Sequence, residues 1–128
     1  MAKSIDMLLT QARTRFVRVA PEELANEQAN GALIIDIRPV DQRLRDGEIP
    51  GAIVVDRNSL EWRLDPSYKL RIAEVTDHDI RIIIVCNEGY SSSLAAASLQ
   101  DLGLHRATDL IGGFQAWRVI HRSGSESQ

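Results

Sequence analysis

Short apolar runs alternate with longer amphipathic segments along most of the chain. Near-continuous apolar runs such as Ala32–Ile37 are typical of strands in a parallel sheet, which is buried on both faces. The predicted strands lie at 16–19, 32–37, 52–55, 81–85 and 107–110. The predicted helices lie at 1–16, 21–30, 91–102 and 114–121, with a turn of helix at 43–46 and an irregular helix near Leu60. This alternation predicts an α/β fold, a parallel sheet with helices on both faces.

The length of the chain favours a single domain. Its 128 residues, 44% of them hydrophobic and 26% charged, are enough to bury a core without disulfides or a structural metal. We expect that domain over residues 1–122, followed by a flexible polar tail at 123–128. The net charge of −3 gives no reason to expect nucleic acid or an anionic membrane as partner.

The first 20 residues allow two interpretations. Their excess of basic over acidic residues is similar to that of a transit peptide. Apolar residues, however, recur there at helical spacing: Ile5, Leu8, Leu9, Ala12 and Phe16. This favours a helix over residues 1–16 that packs on the domain. With no continuous apolar signal core and no apolar run near membrane-spanning length, the expected location is the cytoplasm.

Cys86, the chain's single cysteine, directly follows the apolar run Arg81–Val85. A thiol placed where a buried strand leads into a helix can be held as a thiolate by backbone N–H groups and the helix dipole. Gly89 permits a tight turn whose N–H groups converge on the sulfur, and Ser91–Ser93 can cap the helix. A lone cysteine has no intramolecular disulfide partner. We therefore expect a nucleophile or sulfur carrier, the alternative being an inert packing residue.

Three motifs accompany this cysteine in a characteristic order. They are Asp36-Ile37-Arg38 followed by Gly47-Glu48-Ile49-Pro50-Gly51-Ala52, then Cys86-x-x-Gly89-x-Ser91, and finally Gly112-Gly113-Phe114-x-x-Trp117. In this order and spacing, over residues 17–120, the sequence resembles the rhodanese family of sulfurtransferases.

The resemblance implies a rhodanese-like fold, with a central parallel five-stranded sheet flanked by helices on both faces. It places Cys86 at the bottom of a cup formed by its own loop, namely Asn87, Glu88, Gly89, Tyr90, Ser91 and Ser92. It also implies a two-step reaction in which Cys86 takes a sulfane sulfur from thiosulfate or a persulfide and passes it to a thiol or cyanide. The acceptor could be a thiol-carrying protein. No cofactor is required, and the scattered His78, His105 and His121 predict no metal site.

The chain departs from the family's pattern in ways that bear on the donor. Glu48 stands where the family has histidine, and Gln42 stands where a glutamate is frequent. The loop contains no Lys or Arg, and Glu88 adds a negative charge. Arg38 and Arg63 are the candidate substrate contacts at the rim, with Arg57 a further possibility. Without them an anionic donor is opposed, so we expect a persulfide to be a better donor than thiosulfate.

Some roles near the site stay open at this stage. Asp36 is expected to fix its loop by hydrogen bonds, and Asp41 or Glu48 are candidate partners for Arg38. Related phosphatases and arsenate reductases use a longer cysteine loop that ends in Arg, whereas this loop ends in serines. A stronger alternative is a catalytically silent rhodanese-like module that binds a protein partner or regulates one. The sequence leaves donor, acceptor and oligomeric state open.

Overall fold

The computed structural model describes residues 1–126, and their side chains up to residue 121. Within this range four strands form one parallel sheet in the order β2-β1-β3-β4. The strands are β1 (Leu33–Asp36), β2 (Ile53–Val54), β3 (Ile82–Val85) and β4 (Ala107–Asp109). The parallel sheet predicted from the apolar runs is therefore present.

Helices connect these strands. They are α1 (Ile5–Arg13), α2 (Leu24–Ala29), α3 (Val40–Asp46), α4 (Leu60–Leu64), α5 (Ser91–Asp101) and α6 (Gly113–Glu126). The Ser4 hydroxyl caps α1 by accepting the Met7 N–H, and Pro21 opens a 3-10 turn that leads into α2. Through residue 126, no helix combines the length and the apolar character needed to cross a membrane.

The last helix is longer than the sequence indicates. The backbone of α6 continues to Glu126, beyond residue 122 where the domain was expected to end. Of the tail expected at 123–128, Ser127 and Gln128 lie outside the described residues.

The central strands alternate between two hydrophobic clusters. On one face Ile35, Ile82 and Ile84 pack with residues of α4 and α5. On the other face Ile34 and Ile83 pack with residues of α2 and α6. Burying each such side chain contributes about 1.5–3 kcal/mol, which explains why both faces of these strands are apolar. Helix α1 packs on α5.

The fifth strand expected at 16–19 is reduced to one isolated bridge, between Val19 and Leu110. The Val19 N–H donates to the Asp109 carbonyl at the edge of β4. Pairing goes no further because Arg15 N–H still bonds back to α1 at Ala12, while Pro21 begins a 3-10 turn two residues after Val19. The prediction of five strands was wrong, because this edge segment does not form the fifth strand.

The carboxyl ends of the central strands lie at one edge of the sheet. Strand β1 ends at Asp36, β3 at Val85 just before Cys86, and β4 at Asp109. In the register of the sheet, Asp36 pairs with Val85, and Ile84 pairs with Asp109. This is the edge where open parallel sheets hold their binding sites.

Candidate active site

The Cys86 sulfur faces the backbone of its own loop. Its Sγ accepts hydrogen bonds from the Gly89 N–H at 3.1 Å and from the Ser92 N–H at 3.4 Å. Ser92 lies in the first turn of α5, so the helix N-terminus also points towards the sulfur. Two amide donors and a helix dipole stabilise negative charge on this atom. Cys86 itself is 6% exposed.

Gly89 has a backbone conformation that other residues resist. Its φ is +86°, and a Cβ built there would lie 2.7 Å from the Gly112 backbone nitrogen. The turn that directs the Gly89 N–H to the sulfur therefore depends on the absent side chain.

The start of α6 holds the loop from the opposite side. The Phe114 N–H donates to the Cys86 carbonyl at 2.8 Å, and the Gln115 N–H donates to the Asn87 carbonyl at 3.1 Å. Gly113 lies against the loop so closely that a Cβ would be 2.8 Å from the Glu88 nitrogen. This contact explains why the third motif has a glycine at position 113.

A pocket of about 290 Å³ opens above the sulfur. Its lining residues are Gln42, Cys86, Asn87, Glu88, Tyr90 and Ser91. Glu88, Tyr90 and Ser91 are exposed, whereas Gly89 and Ser92 are buried behind them and contact the sulfur through their amides. The structure thus brings together all six loop residues predicted from the sequence, four by lining the pocket and two by backbone donation. It adds Gln42 from α3.

Arg38 is not a rim contact, contrary to the expectation from the sequence. It is 3% exposed, and its guanidinium donates to the Asp36 carboxylate and to the Gly47 carbonyl, each at 2.8 Å. Its Cζ lies 3.8 Å from the centre of the Phe114 ring. Asp36 also accepts the Arg38 N–H and so fixes this loop. The partner expected at Glu48 is taken by Arg43.

The other predicted cations also turn away from the pocket. Arg63, exposed on α4, donates to the Leu70 carbonyl and does not line the pocket. Arg57 pairs with Glu61 at 3.0 Å. Among the side chains that line the pocket, the charged one is Glu88.

Two arginines that the sequence analysis did not single out contact the loop from outside the pocket. Arg13 and Arg18 both donate to the Gly89 carbonyl, at 2.8 and 2.9 Å. Arg13 also donates to the Ser93 hydroxyl at 2.9 Å. In sequence these residues belong to the basic segment that was compared with a transit peptide, and nothing in their spacing marks them as loop contacts.

Asp109 was missed as well, although it is the last residue of its strand, as Asp36 is. It is completely buried and forms an ion pair with Arg18 at 2.8 Å. Its Oδ2 accepts the hydroxyl hydrogens of Ser92 and Ser93, each at 2.7 Å. An acidic residue at the end of a predicted strand was the sequence signal that could have identified it.

A second series of hydrogen-bonded polar side chains reaches the loop from α6. The Gln115 side-chain amide donates to Asn87 Oδ1 at 3.0 Å and to Asp46 Oδ2 at 2.9 Å. Hydrogen bonds from Arg45 and then from Gln115 hold the pKa of Asp46 below its usual value, against the opposing effect of burial. The Asn87 amide is thereby fixed in orientation beside Cys86.

Residues 1–126 contain no group of three or more His, Cys, Asp or Glu side chains placed to hold a metal ion. Of the three histidines, His105 contacts the exposed Asp79 at 2.7 Å.

The fold and the cysteine loop agree with the match to known families. The model of the rhodanese-like domain matches residues 20–119, and the chain belongs to this family. Thiosulfate sulfurtransferase GlpE of Pseudomonas aeruginosa is 31% identical over 112 residues, which cover 88% of this chain and 93% of the relative. GlpE of Stutzerimonas stutzeri is 34% identical, with 88% and 94% covered. The chain is accordingly a rhodanese-type sulfurtransferase.

Solved structures share the architecture. A Rhodopseudomonas palustris protein of unknown function, described as a possible tyrosine phosphatase, is 30% identical with a TM-score of 0.84, covering 94% of this chain and 93% of its own. The human single-domain sulfurtransferase TSTD1 is 24% identical with a TM-score of 0.66, covering 78% and 93%. The second likeness concerns the fold alone.

Proposed function

We propose that Cys86 carries a sulfane sulfur between a donor and an acceptor as a persulfide. The observation that carries this proposal is the pair of amide donors on Sγ at the base of an open pocket. The Cys86 thiolate attacks the sulfane sulfur, a new S–S bond forms, and the donor leaves with the electron pair of its broken bond. The acceptor then attacks the outer sulfur, and the Cys86 thiolate is the leaving group. No external oxidant or reductant is consumed.

The charge around the pocket favours an organic persulfide over thiosulfate as the donor. Glu88 lines the pocket, while Arg38, Arg57 and Arg63 are engaged elsewhere. Two unit charges about 6 Å apart repel by roughly 1–3 kcal/mol at effective dielectric constants between 80 and 20. Thiosulfate brings two negative charges within a few atoms of the reacting sulfur. A persulfide places a carbon substituent there instead. The names of the relatives give thiosulfate as the substrate of those proteins.

For the acceptor we propose a thiol, which a small molecule or a protein could carry, with cyanide as a laboratory substitute. The second step needs only a nucleophile that reaches the outer sulfur of the persulfide. That sulfur would project from Cys86 into the pocket, towards its exposed mouth at Tyr90 and Ser91.

Two rival functions have less support. The Rhodopseudomonas palustris relative is described as a possible phosphatase, but binding a phosphoryl group in this kind of loop calls for a guanidinium directed into it. Here Arg13 and Arg18 bond to the outer carbonyl of Gly89. A catalytically silent module would not need a sulfur held by two amides beneath an open pocket.

A comparison of donors tests the proposal. Transfer rates to a thiol acceptor are measured at low salt with thiosulfate and with glutathione persulfide, for the wild-type chain and for Glu88→Gln. We expect the persulfide to be the more efficient donor, and Glu88→Gln to improve thiosulfate use by about 3- to 100-fold, the equivalent of the repulsion given above. The control is Glu74→Gln, which removes an exposed charge that does not line the pocket.

Much higher efficiency with thiosulfate than with the persulfide would refute the choice of donor. Absence of transfer with every donor, from a chain that is folded, would refute the sulfur-carrier function itself.

A further inference from the structure

We propose that Arg13, Arg18 and Asp109 are positioning residues that hold the amide donors of the Cys86 loop from outside the pocket. The proposal rests on the sulfur-carrier function proposed above. Gly89 and Ser92 are the two residues whose N–H groups donate to Sγ. Both are held by this one group of three side chains.

The arginines set the orientation of Gly89. Its N–H points inward to the sulfur, and its carbonyl points outward to Arg13 Nη2 at 2.8 Å and Arg18 Nη2 at 2.9 Å. Hydrogen bonds from a charged donor contribute more than neutral ones. Because Gly89 has no side chain to restrict its backbone, these two bonds to the Gly89–Tyr90 peptide restrain the turn, and the turn directs the N–H of the preceding peptide to the sulfur.

Asp109 sets the position of Ser92. The buried carboxylate accepts the Ser92 hydroxyl at 2.7 Å, which places the Ser92 N–H towards Sγ. The same oxygen accepts the hydroxyl of Ser93, and Arg18 balances its negative charge. A buried carboxylate is stable when it is paired and hydrogen-bonded in this way.

The group also supplies positive charge to a loop that contains none. Arg18 is paired with Asp109, whereas Arg13 donates to two neutral groups, the Ser93 hydroxyl and the Gly89 carbonyl. The guanidinium of Arg13 is joined to Sγ by two hydrogen bonds and the backbone atoms of Gly89 between them. The length of this path places the guanidinium within about 10 Å of Sγ. Its charge favours a negative sulfur, whereas that of Glu88 opposes one. Both arginines precede residue 20, where the family match begins.

Substitution of Arg13 tests the proposal. The rate at which neutral iodoacetamide alkylates Cys86 is measured at fixed pH and low salt for the wild type, Arg13→Gln and Arg13→Lys. Loss of one unit charge at about 10 Å predicts a roughly 2- to 15-fold slower reaction for Arg13→Gln. Arg13→Lys keeps the charge but not the two-point contact, and should lie between them. Sulfur transfer should fall in kcat more than KM changes, because Arg13 does not line the pocket.

Arg15→Gln is the matched control. Arg15 lies in the same segment, but it pairs at the surface with Asp101. Cys86 should therefore be alkylated at the same rate in Arg15→Gln as in the wild type. If Arg13→Gln fails to fold, Ser93→Ala removes one of the partners of Arg13 and should itself slow alkylation at least about 2-fold.

Alkylation of a folded Arg13→Gln chain at the rate of Arg15→Gln would overturn the positioning role. That result differs from a failure of the sulfur-carrier function, in which the wild-type chain itself acquires no sulfur from any donor.

Discussion

Replacing Gly89 with alanine perturbs the sulfur cradle while leaving Cys86 in place. Gly89 has φ +86°, and its N–H lies 3.1 Å from Sγ. A Cβ there would be 2.7 Å from the backbone nitrogen of Gly112, and ordinary contact begins at 3.4 Å, so the two backbones must separate by about 0.7 Å. Because the Gly89 N–H moves with its backbone, the substitution weakens the hydrogen bond to the sulfur.

Gly31→Ala is the matched variant that separates this displacement from simple backbone strain. Gly31 has φ +95°, yet a Cβ there meets nothing within 4 Å. Left-handed backbone costs a non-glycine residue about 1–2 kcal/mol, and overpacking adds about 1–3 kcal/mol. Gly31→Ala should therefore lower the free energy of unfolding by about 1–2 kcal/mol, and Gly89→Ala by about 2–5 kcal/mol.

The two variants should also differ in the rate at which Cys86 takes up sulfur. A hydrogen bond to a charged group contributes about 1.5–3 kcal/mol, so Gly89→Ala should slow sulfur loading of Cys86 by roughly 10- to 100-fold, while Gly31→Ala loads at the wild-type rate. Urea unfolding gives the free energies of unfolding. Mass spectrometry of the intact chain, quenched at successive times, gives the rates of sulfur loading. If a folded Gly89→Ala chain loads as fast as Gly31→Ala, the amide cradle does not govern the reactivity of Cys86.

Three further substitutions test other parts of the account. Cys86→Ser should abolish sulfur transfer in a chain whose circular dichroism and unfolding midpoint remain close to those of the wild type. Glu88→Lys should raise thiosulfate use more than Glu88→Gln does and in a salt-dependent way, and an unchanged rate would mean that this charge does not select the donor. The hydrogen bond from Arg81 holds the pKa of Glu27 below its usual value despite the opposing effect of burial. A depressed carboxyl pKa stabilises the fold above the unfolded value of 4.5 and loses that contribution as the pH falls through the folded value. The advantage of wild type over Glu27→Gln in urea unfolding should thus be about 1 kcal/mol or less near neutral pH and disappear in acid, and a pH-independent difference would contradict the pairing.

The sequence predicts the sheet well because its signal is local. Runs such as Ile82–Val85 are apolar on both faces, as is typical of a strand in a parallel sheet between two helical layers. The edge segment at 16–19 lacks that constraint, since Val17 is exposed and Val19 forms a single bridge, to Leu110 just after β4. Whether an edge segment forms a strand depends on the length left between its flanking helices, which apolar pattern does not report.

The candidate site likewise has one part that could be predicted from the sequence and one part that could not. Cys86, Gly89 and the serines lie close together in sequence, so the turn and the start of α5 at Ser91 could be inferred from spacing alone. The predicted serine cap was wrong, because the N-cap residue of α5 is Tyr90, without a side-chain capping bond, and the Ser92 and Ser93 hydroxyls donate to Asp109 instead.

The partners of the arginines could not be inferred from spacing, because they depend on packing between distant elements. Arg38 follows a strand end towards the site but turns to Asp36, two residues away, whereas Arg13 reaches Gly89 across 76 residues of chain.

The most direct test of sulfur carriage by Cys86 is the intact mass of the chain after incubation with glutathione persulfide and removal of excess donor. The account predicts one added sulfur atom per wild-type chain, removed again by a thiol acceptor, and none on Cys86→Ser. A wild-type chain that gains no sulfur, or a Cys86→Ser chain that gains one, would contradict it.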